Sequence, residues 1–293
     1  MLAAVRPDVV HVTAPAPTHF PLTRDALEAG AHVLVEKPAA GSHEEVLQLL
    51  DLAQQTNRVV VENHNYVWDP AIVRMRELVA DGRLGEVRHV EVSVALELFG
   101  DSSRYRDPDS PHPALARPGE AVTEFITHLA SLAHAFVGPH RSVEAIWQRT
   151  GPEGQVGELQ ALVEAERGTA LLSFSATAQP NDFTVRVRGT RMRASARLFD
   201  RRLLVTGPRG FPRPISALLD DLEESVITGR AGVAALREKL AGGPGTYAGL
   251  WELIRRTYVG LAGQGPLPIT HQDVDEVNAA ADAILATAPA PLP

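Results

Sequence analysis

Apolar positions change period along the chain, and the changes mark its organisation. Val9, Val10 and Val12 form a short β-branched run that Ala14-Pro15-Ala16-Pro17 ends, as expected of a strand covered on both faces in a parallel sheet. Leu22, Ala26, Leu27 and Ala29 then recur at helical spacing, Gly30 supplies a left-handed stop, and Val33-Leu34-Val35 begins a second strand. Two strands joined through a helix predict a parallel βαβ unit. Ser42 and Glu45 form a capping box for a helix whose buried stripe is Val46, Leu49, Leu50 and Ala53, and Val59-Val60-Val61 makes a third strand. Asp69-Pro70 starts the next helix and Asp81-Gly82 stops it.

From Gly85 the period falls to two. Val87 to Leu98, Val143 to Trp147, Leu159 to Glu166, Ala170 to Phe174 and Phe183 to Val187 alternate at least in part, and Glu166-Arg167-Gly168-Thr169 reads as a hairpin turn. These strands predict a mainly antiparallel sheet, interrupted by a helix running to Phe136 and closed by Gly138. Beyond it the helical period returns in three stripes: Ile215, Leu218, Leu219 and Leu222; Leu250, Leu253, Ile254 and Tyr258; Val274, Val277, Ala281 and Ile284. The Pro-rich tail after Thr287 is expected to fray.

Composition narrows the function classes. The 293 residues suffice for two domains, and a hydrophobic fraction of 44% supports real cores. A formal net charge of -8 without a basic block argues against nucleic acid or an anionic membrane as partner. There are no cysteines, hence no disulfides and no thiolate metal site. No apolar run reaches the roughly 18 residues of a membrane span. No signal peptide is visible either, so a cytoplasmic enzyme is expected.

Candidate chemistry gathers at the carboxyl ends of the parallel strands, where open α/β sheets bind ligands. Thr18 and His19 follow the first strand, Glu36-Lys37-Pro38 the second, and Glu62-Asn63-His64-Asn65 the third. An ammonium beside a carboxylate at a strand tip can orient a substrate oxygen or hold a cofactor ribose; the alternative is a solvated pair. Glu124 and His128 lie four apart, on one helical face, where they can meet. A lone histidine on an apolar helix face is otherwise a satisfied core residue. Glu62 and His64 share a strand face but have no evident third ligand, so no metal site is expected. His112 and Arg117 stand in the polar segment 104–117, expected as a loop over the active site; they either contact substrate or are solvated. Gly243-Pro244-Gly245 follows a helical stretch rather than a strand, and so reads as a turn between helices and not a phosphate loop.

Taken in order, Ala14-Pro15, His19, Ala26-Leu27, Gly30, His32-Val33 and Glu36-Lys37-Pro38 make the first stretch resemble the glucose-fructose oxidoreductase and inositol dehydrogenase (Gfo/Idh/MocA) family. The resemblance implies an α/β plus α+β chain. Residues 1–66 would be the C-terminal half of a Rossmann-like dinucleotide-binding domain with a partial parallel sheet. Residues 67–293 would be an α+β substrate and oligomerisation domain with a large, open, mainly antiparallel sheet and flanking helices. It implies hydride transfer between NAD or NADP and a sugar, cyclitol or related polyol. In that scheme His128 takes the hydroxyl proton, Lys37 hydrogen-bonds the same oxygen and Glu124 orients His128. Ala14, Pro15, His19, Glu36, Lys37 and Asn65 would contact the cofactor, and Trp68, His112 and Arg117 the substrate. A homo-oligomer through the open sheet face is implied as well.

The chain departs from the family pattern at three places. Where the family has Asp-x-Gly-x-His, Glu124 replaces the Asp and Ile126 the Gly, so Ile126 is expected to crowd the nicotinamide face. Where it has Asn-x-Arg-Phe-x-Pro, Val67 stands for the Arg and Trp68 for the Phe. The strands and the Gly-x-Gly-x-x-Gly turn that family members carry ahead of the first strand, including the residue choosing NAD or NADP, are not in this sequence, so that strand is expected as an apolar edge. Two non-redox alternatives stand beside the dehydrogenase reading: a degenerate relative that binds a polyol or assembles with a partner, and acid–base chemistry by His128 and Lys37.

Overall fold

The computed structural model of the chain describes residues 2–100, 103, 120–240 and 247–289. A short helix, α1 (Leu2–Val5), precedes β1 (Val9–Val12), α2 (His19–Glu28), β2 (His32–Val35), α3 (His43–Gln55) and β3 (Val60–Glu62). The strands form a parallel sheet in the order β1-β2-β3. Gly30, at φ +84°, ends α2 in the left-handed conformation that glycine adopts without strain. Ser42 caps α3 by accepting the Glu45 N–H at 3.2 Å, but the Glu45 side chain answers Gly41, not Ser42, so the reciprocal bond is displaced by one residue. Among the described residues no strand pairs with the outer edge of β1.

After a 3₁₀ turn (Asn65–Trp68), α4 (Pro70–Ala80) leads into β4 (Val87–Ala95); α5 (Glu120–Val137) follows. The remaining strands are β5 (His140–Gln148), β6 (Glu158–Ala165), β7 (Gly168–Ser175), β8 (Asp182–Gly189), β9 (Arg193–Arg197) and β10 (Arg202–Thr206). They form one sheet with β4, in the order β10-β9-β8-β4-β7-β6-β5, antiparallel except between β4 and β7. Its buried side chains, among them Val92, Leu172, Phe174, Phe183 and Val185, share a core with Ile126, Leu129 and Leu132 of α5. Across the sheet Ile146, Leu162 and Leu171 remain exposed.

Three helices close the chain: α6 (Arg213–Leu240), α7 (Ala248–Leu261) and α8 (His271–Leu285). The stripe expected on α6 is there, but Ile215, Leu218 and Leu222 face outward. Of the other two, α7 packs on the parallel sheet and α8 spans both cores, with Ala281 and Ile284 in that of the large sheet. Leu253 of α7 and Val274 of α8 join the core of Val33, Val35, Val60 and Leu27, and the Val60 N–H on the edge of β3 donates to His271 Nε2 at 3.0 Å. No helix among the described residues is long and apolar enough to cross a membrane.

The seat of α7 requires Gly249. A Cβ there would lie 2.3 Å from the Asn65 carbonyl oxygen and 2.9 Å from the Asp69 nitrogen, both backbone atoms. Gly249→Ala is expected to cost ~1–3 kcal/mol and lower the melting temperature by several degrees, as followed by circular dichroism; an unchanged melting curve would show that α7 is not seated on this turn.

Candidate active site

The tips of β1 and β2 open onto a cleft of about 520 Å³, walled on its other side by α5 and α8. Ala14, Pro15, His19, Glu36, Lys37 and Glu124 line it, so six of the residues singled out from the sequence are brought together. Ile126 also stands in the wall, 2% exposed. Prolines 15, 17 and 38 with Ala281 and Leu285 supply apolar surface, while Ser42, Thr123, Thr127 and Asp282 add polar groups.

Lys37 is the charged centre. Its Nζ donates to the Glu124 carbonyl at 2.8 Å and to the Glu124 carboxylate, and it lies 5.9 Å from the Phe125 ring centroid. Lys37-Pro38 is cis. His19 bridges the two strand-tip loops, with Nδ1 2.7 Å from the Pro38 carbonyl oxygen and Nε2 2.7 Å from that of Ala14. Glu36 accepts a hydrogen bond from Asn63 at 2.7 Å.

His128 lies one helical turn beyond Glu124, 7% exposed, with the Tyr66 ring edge-on at 4.7 Å. Glu124 is engaged by Lys37, and His128 Nδ1 has no hydrogen-bond partner among the described residues, so the expected Glu124–His128 pair is not formed. Burial first, then the charge of Lys37 and the neighbouring His64, push the His128 pKa well below the ordinary histidine value. The ring is therefore a neutral base around pH 7.

Asn65, Trp68 and His128 are not in the cleft lining; of the α5 residues beside His128, Thr127 and Ile126 are. Asn65 begins the turn beneath α7, and Trp68 lies between two guanidiniums, Arg256 at 4.2 Å and Arg76 at 5.2 Å from its ring. His112 and Arg117 lie outside the described residues. Glu62 and His64 approach to 3.0 Å, though not aligned for a hydrogen bond, and no third His, Asp or Glu joins them among the described residues. Sequence reasoning missed Asn278 and Asp282 of α8. The available signal was Asn278 itself, a polar residue inside the Val274-Val277-Ala281 stripe.

Comparison with known proteins adds an independent line. Residues 1–64 match the oxidoreductase family with an NAD-binding Rossmann fold, and residues 72–195 match the GFO/IDH/MocA C-terminal domain. Over 100 residues the chain is 38% identical to dTDP-3,4-didehydro-2,6-dideoxy-alpha-D-glucose 3-reductase from Streptomyces violaceoruber, covering 34% of this chain and 29% of that protein. It is also 38% identical over 100 residues to D-glucoside 3-dehydrogenase from Escherichia coli K12, covering 34% and 28%. The match thus spans less than a third of either relative. Among solved structures the fold is similar to GenD2 from gentamicin A biosynthesis in complex with NAD (TM-score 0.68, 22% identity, 96% of this chain and 76% of that one). It is similar too to an oxidoreductase from Agrobacterium radiobacter in complex with NAD+, L-tartaric acid and magnesium (TM-score 0.76, 15% identity, 98% and 79%).

Proposed function

The chain belongs to the GFO/IDH/MocA family of oxidoreductases, and on that premise we propose that its cleft serves NAD(P)-dependent oxidation or reduction of a sugar, at a ring secondary alcohol. The observation that carries this reading is the Lys37 ammonium at the tip of β2, held by Glu124 at the cleft and one helical turn from a neutral His128. The cleft residues fit a nicotinamide: Pro15 and Pro38 offer apolar surface to a flat ring, and Glu36, Lys37 and Ser42 offer polar atoms to an amide and a ribose. Bound there, the nicotinamide would supply the hydride acceptor or donor. Lys37 donates a hydrogen bond to the substrate oxygen and favours its developing negative charge. His128 takes the hydroxyl proton in the oxidative direction and returns it in the reductive one.

The two curated relatives are named for chemistry at position 3 of a hexose, which selects the first substrates to try. Glucosides and nucleotide-linked hexoses, assayed with NAD+ and NADP+ by nicotinamide absorbance, test the proposal. Turnover with none of them, in either direction, counts against it. Ile126 in the cleft wall favours one second reading, a cleft that binds a polyol without dinucleotide. Sugar binding that is indifferent to NAD(H) and NADP(H) would support that reading.

The open sheet face is proposed as a contact with a second copy of the chain. Beside the exposed Ile146 and Leu162, the face carries arginines at 186, 188, 193 and 197 on β8 and β9, and glutamates at 144, 158 and 164 on β5 and β6. Arg186 and Arg188 already pair with Glu91, and Arg197 with Asp182, within the chain, so the proposal rests on the exposed apolar side chains, which a two-fold contact would bury. Ile146→Arg combined with Leu162→Arg is then expected to halve the particle mass measured by light scattering. Retention of the wild-type mass would remove this face from the assembly.

A further inference from the structure

We propose that Glu62 is a positioning residue, through which Asn278 of α8 sets the place of the Lys37 ammonium. Glu62 is the last residue of β3 and is fully buried, yet neither an arginine nor a lysine pairs with it among the described residues. A carboxylate is costly to bury, and this one is accounted for contact by contact. Oε1 accepts the Ala39 N–H at 3.0 Å, Oε2 accepts Asn278 Nδ2 at 2.5 Å, and His64 Nε2 stands 3.0 Å from the same oxygen.

Ala39 gives this arrangement its consequence for Lys37. Pro38 has no N–H, so the first backbone donor after Lys37 belongs to Ala39, which is itself 1% exposed. The turn is thus pinned through the Ala39 N–H by Glu62 and through the Pro38 carbonyl by His19, while the lysine tip is pinned by Glu124. Asn278 in turn is fixed within its own helix, since Nδ2 also donates to the Val274 carbonyl at 2.8 Å. A line of hydrogen bonds therefore runs from Asn278 of α8 through Glu62 to Ala39, which Pro38 joins along the chain to Lys37. Because Asn278, Ala281 and Asp282 also line the cleft, the helix that walls the ligand space also holds the turn carrying Lys37.

That Lys37 matters for chemistry rests on the proposed function; that Glu62 places it does not, and the two are tested separately. Lys37 is one of only two lysines in the chain, the other being Lys239. Lysine-selective isotope labelling therefore yields two side-chain signals by NMR, and Lys37→Ala identifies which is which. Glu62→Gln keeps an acceptor for Ala39 but turns an amide toward the amide of Asn278, donor against donor. Asn278→Asp sets a carboxylate against a carboxylate. Combined, the two substitutions restore a donor–acceptor pair between positions 62 and 278 with its direction reversed, while the bond from position 278 to the Val274 carbonyl stays lost.

The expected result is that each single variant moves the Lys37 signal toward the position of a solvent-exposed lysine, and that the double variant returns it part of the way to the wild-type position. In nicotinamide-nucleotide binding each single variant is expected to weaken affinity ~10-fold or more, and Lys37→Ala to add little on top of Glu62→Gln. A purely structural role would lower the melting temperature in the single variants while leaving the Lys37 signal in place, and that result overturns the proposal. If the wild-type chain binds no nicotinamide nucleotide, the functional reading fails, and the lysine signals alone decide the role of Glu62.

Discussion

Lys37→Ala is expected to lower turnover by ~100-fold or more while leaving the fold intact. The Lys37 side chain is 11% exposed and its ammonium donates both to the Glu124 carbonyl and to its carboxylate, so it is fixed before any ligand arrives. A donor already oriented toward the place where charge develops needs no reorganisation during the reaction, and its loss falls on turnover more than on substrate affinity. The Glu124 side chain retains 26% exposure and can turn toward solvent once its partner is gone, which limits the cost in stability. Lys37→Arg is expected to restore little. A guanidinium is a planar fork, and the site holds a compact point charge between a carbonyl and a carboxylate. Initial rates on a sugar substrate, with thermal unfolding as control, check both variants. Turnover of Lys37→Ala within a few-fold of wild type would separate Lys37 from the chemistry.

The second large effect concerns His128 and pH. His128→Asn is expected to cost ~10²–10⁴-fold in turnover, because in the proposed function it removes the imidazole that takes the substrate proton. Burial, Lys37 and His64 all oppose the imidazolium, so the folded protein refuses a proton that the unfolded chain accepts below pH ~6.5. The sign follows directly. The stability tied to His128 is fully present above pH ~6.5 and is lost progressively as pH falls below it. Turnover should likewise hold steady from neutral pH down past 6.5 and fall only at more acid values. Chemical denaturation across a pH series, with and without His128→Asn, checks the first statement, and the pH profile of kcat/KM checks the second. A rate that already falls at or above pH ~7 would contradict the assignment of a neutral buried base.

Local signals were enough to read the parallel sheet and the residues at its strand tips. The β-branched runs, Gly30 and the proline-ended loop fix β1, α2 and β2 through short-range sterics, and Glu36-Lys37-Pro38 follows from where β2 stops. β9 escaped because its inward residues are only Ala194 and Ala196, set between arginines, too small to mark a period of two. The partners of the site residues are not local either. Glu124 can meet His128 on a helix, but Lys37, 87 positions away, claims it. Asn278 reaches Glu62 across 216 positions, and nothing in an amphipathic pattern says which sheet a helix will cover. Trp68 illustrates the same point. Its two flanking arginines come from α4 and α7, which only the folded chain brings together.

The most direct test of a nicotinamide site centred on Lys37 is a fluorescence titration of the chain with NADH and with NADPH, run in parallel on Lys37→Ala. The proposed function predicts saturable binding of at least one of the two nucleotides, weakened in the variant. The absence of saturation up to millimolar nucleotide, or binding that Lys37→Ala leaves unchanged, would contradict it.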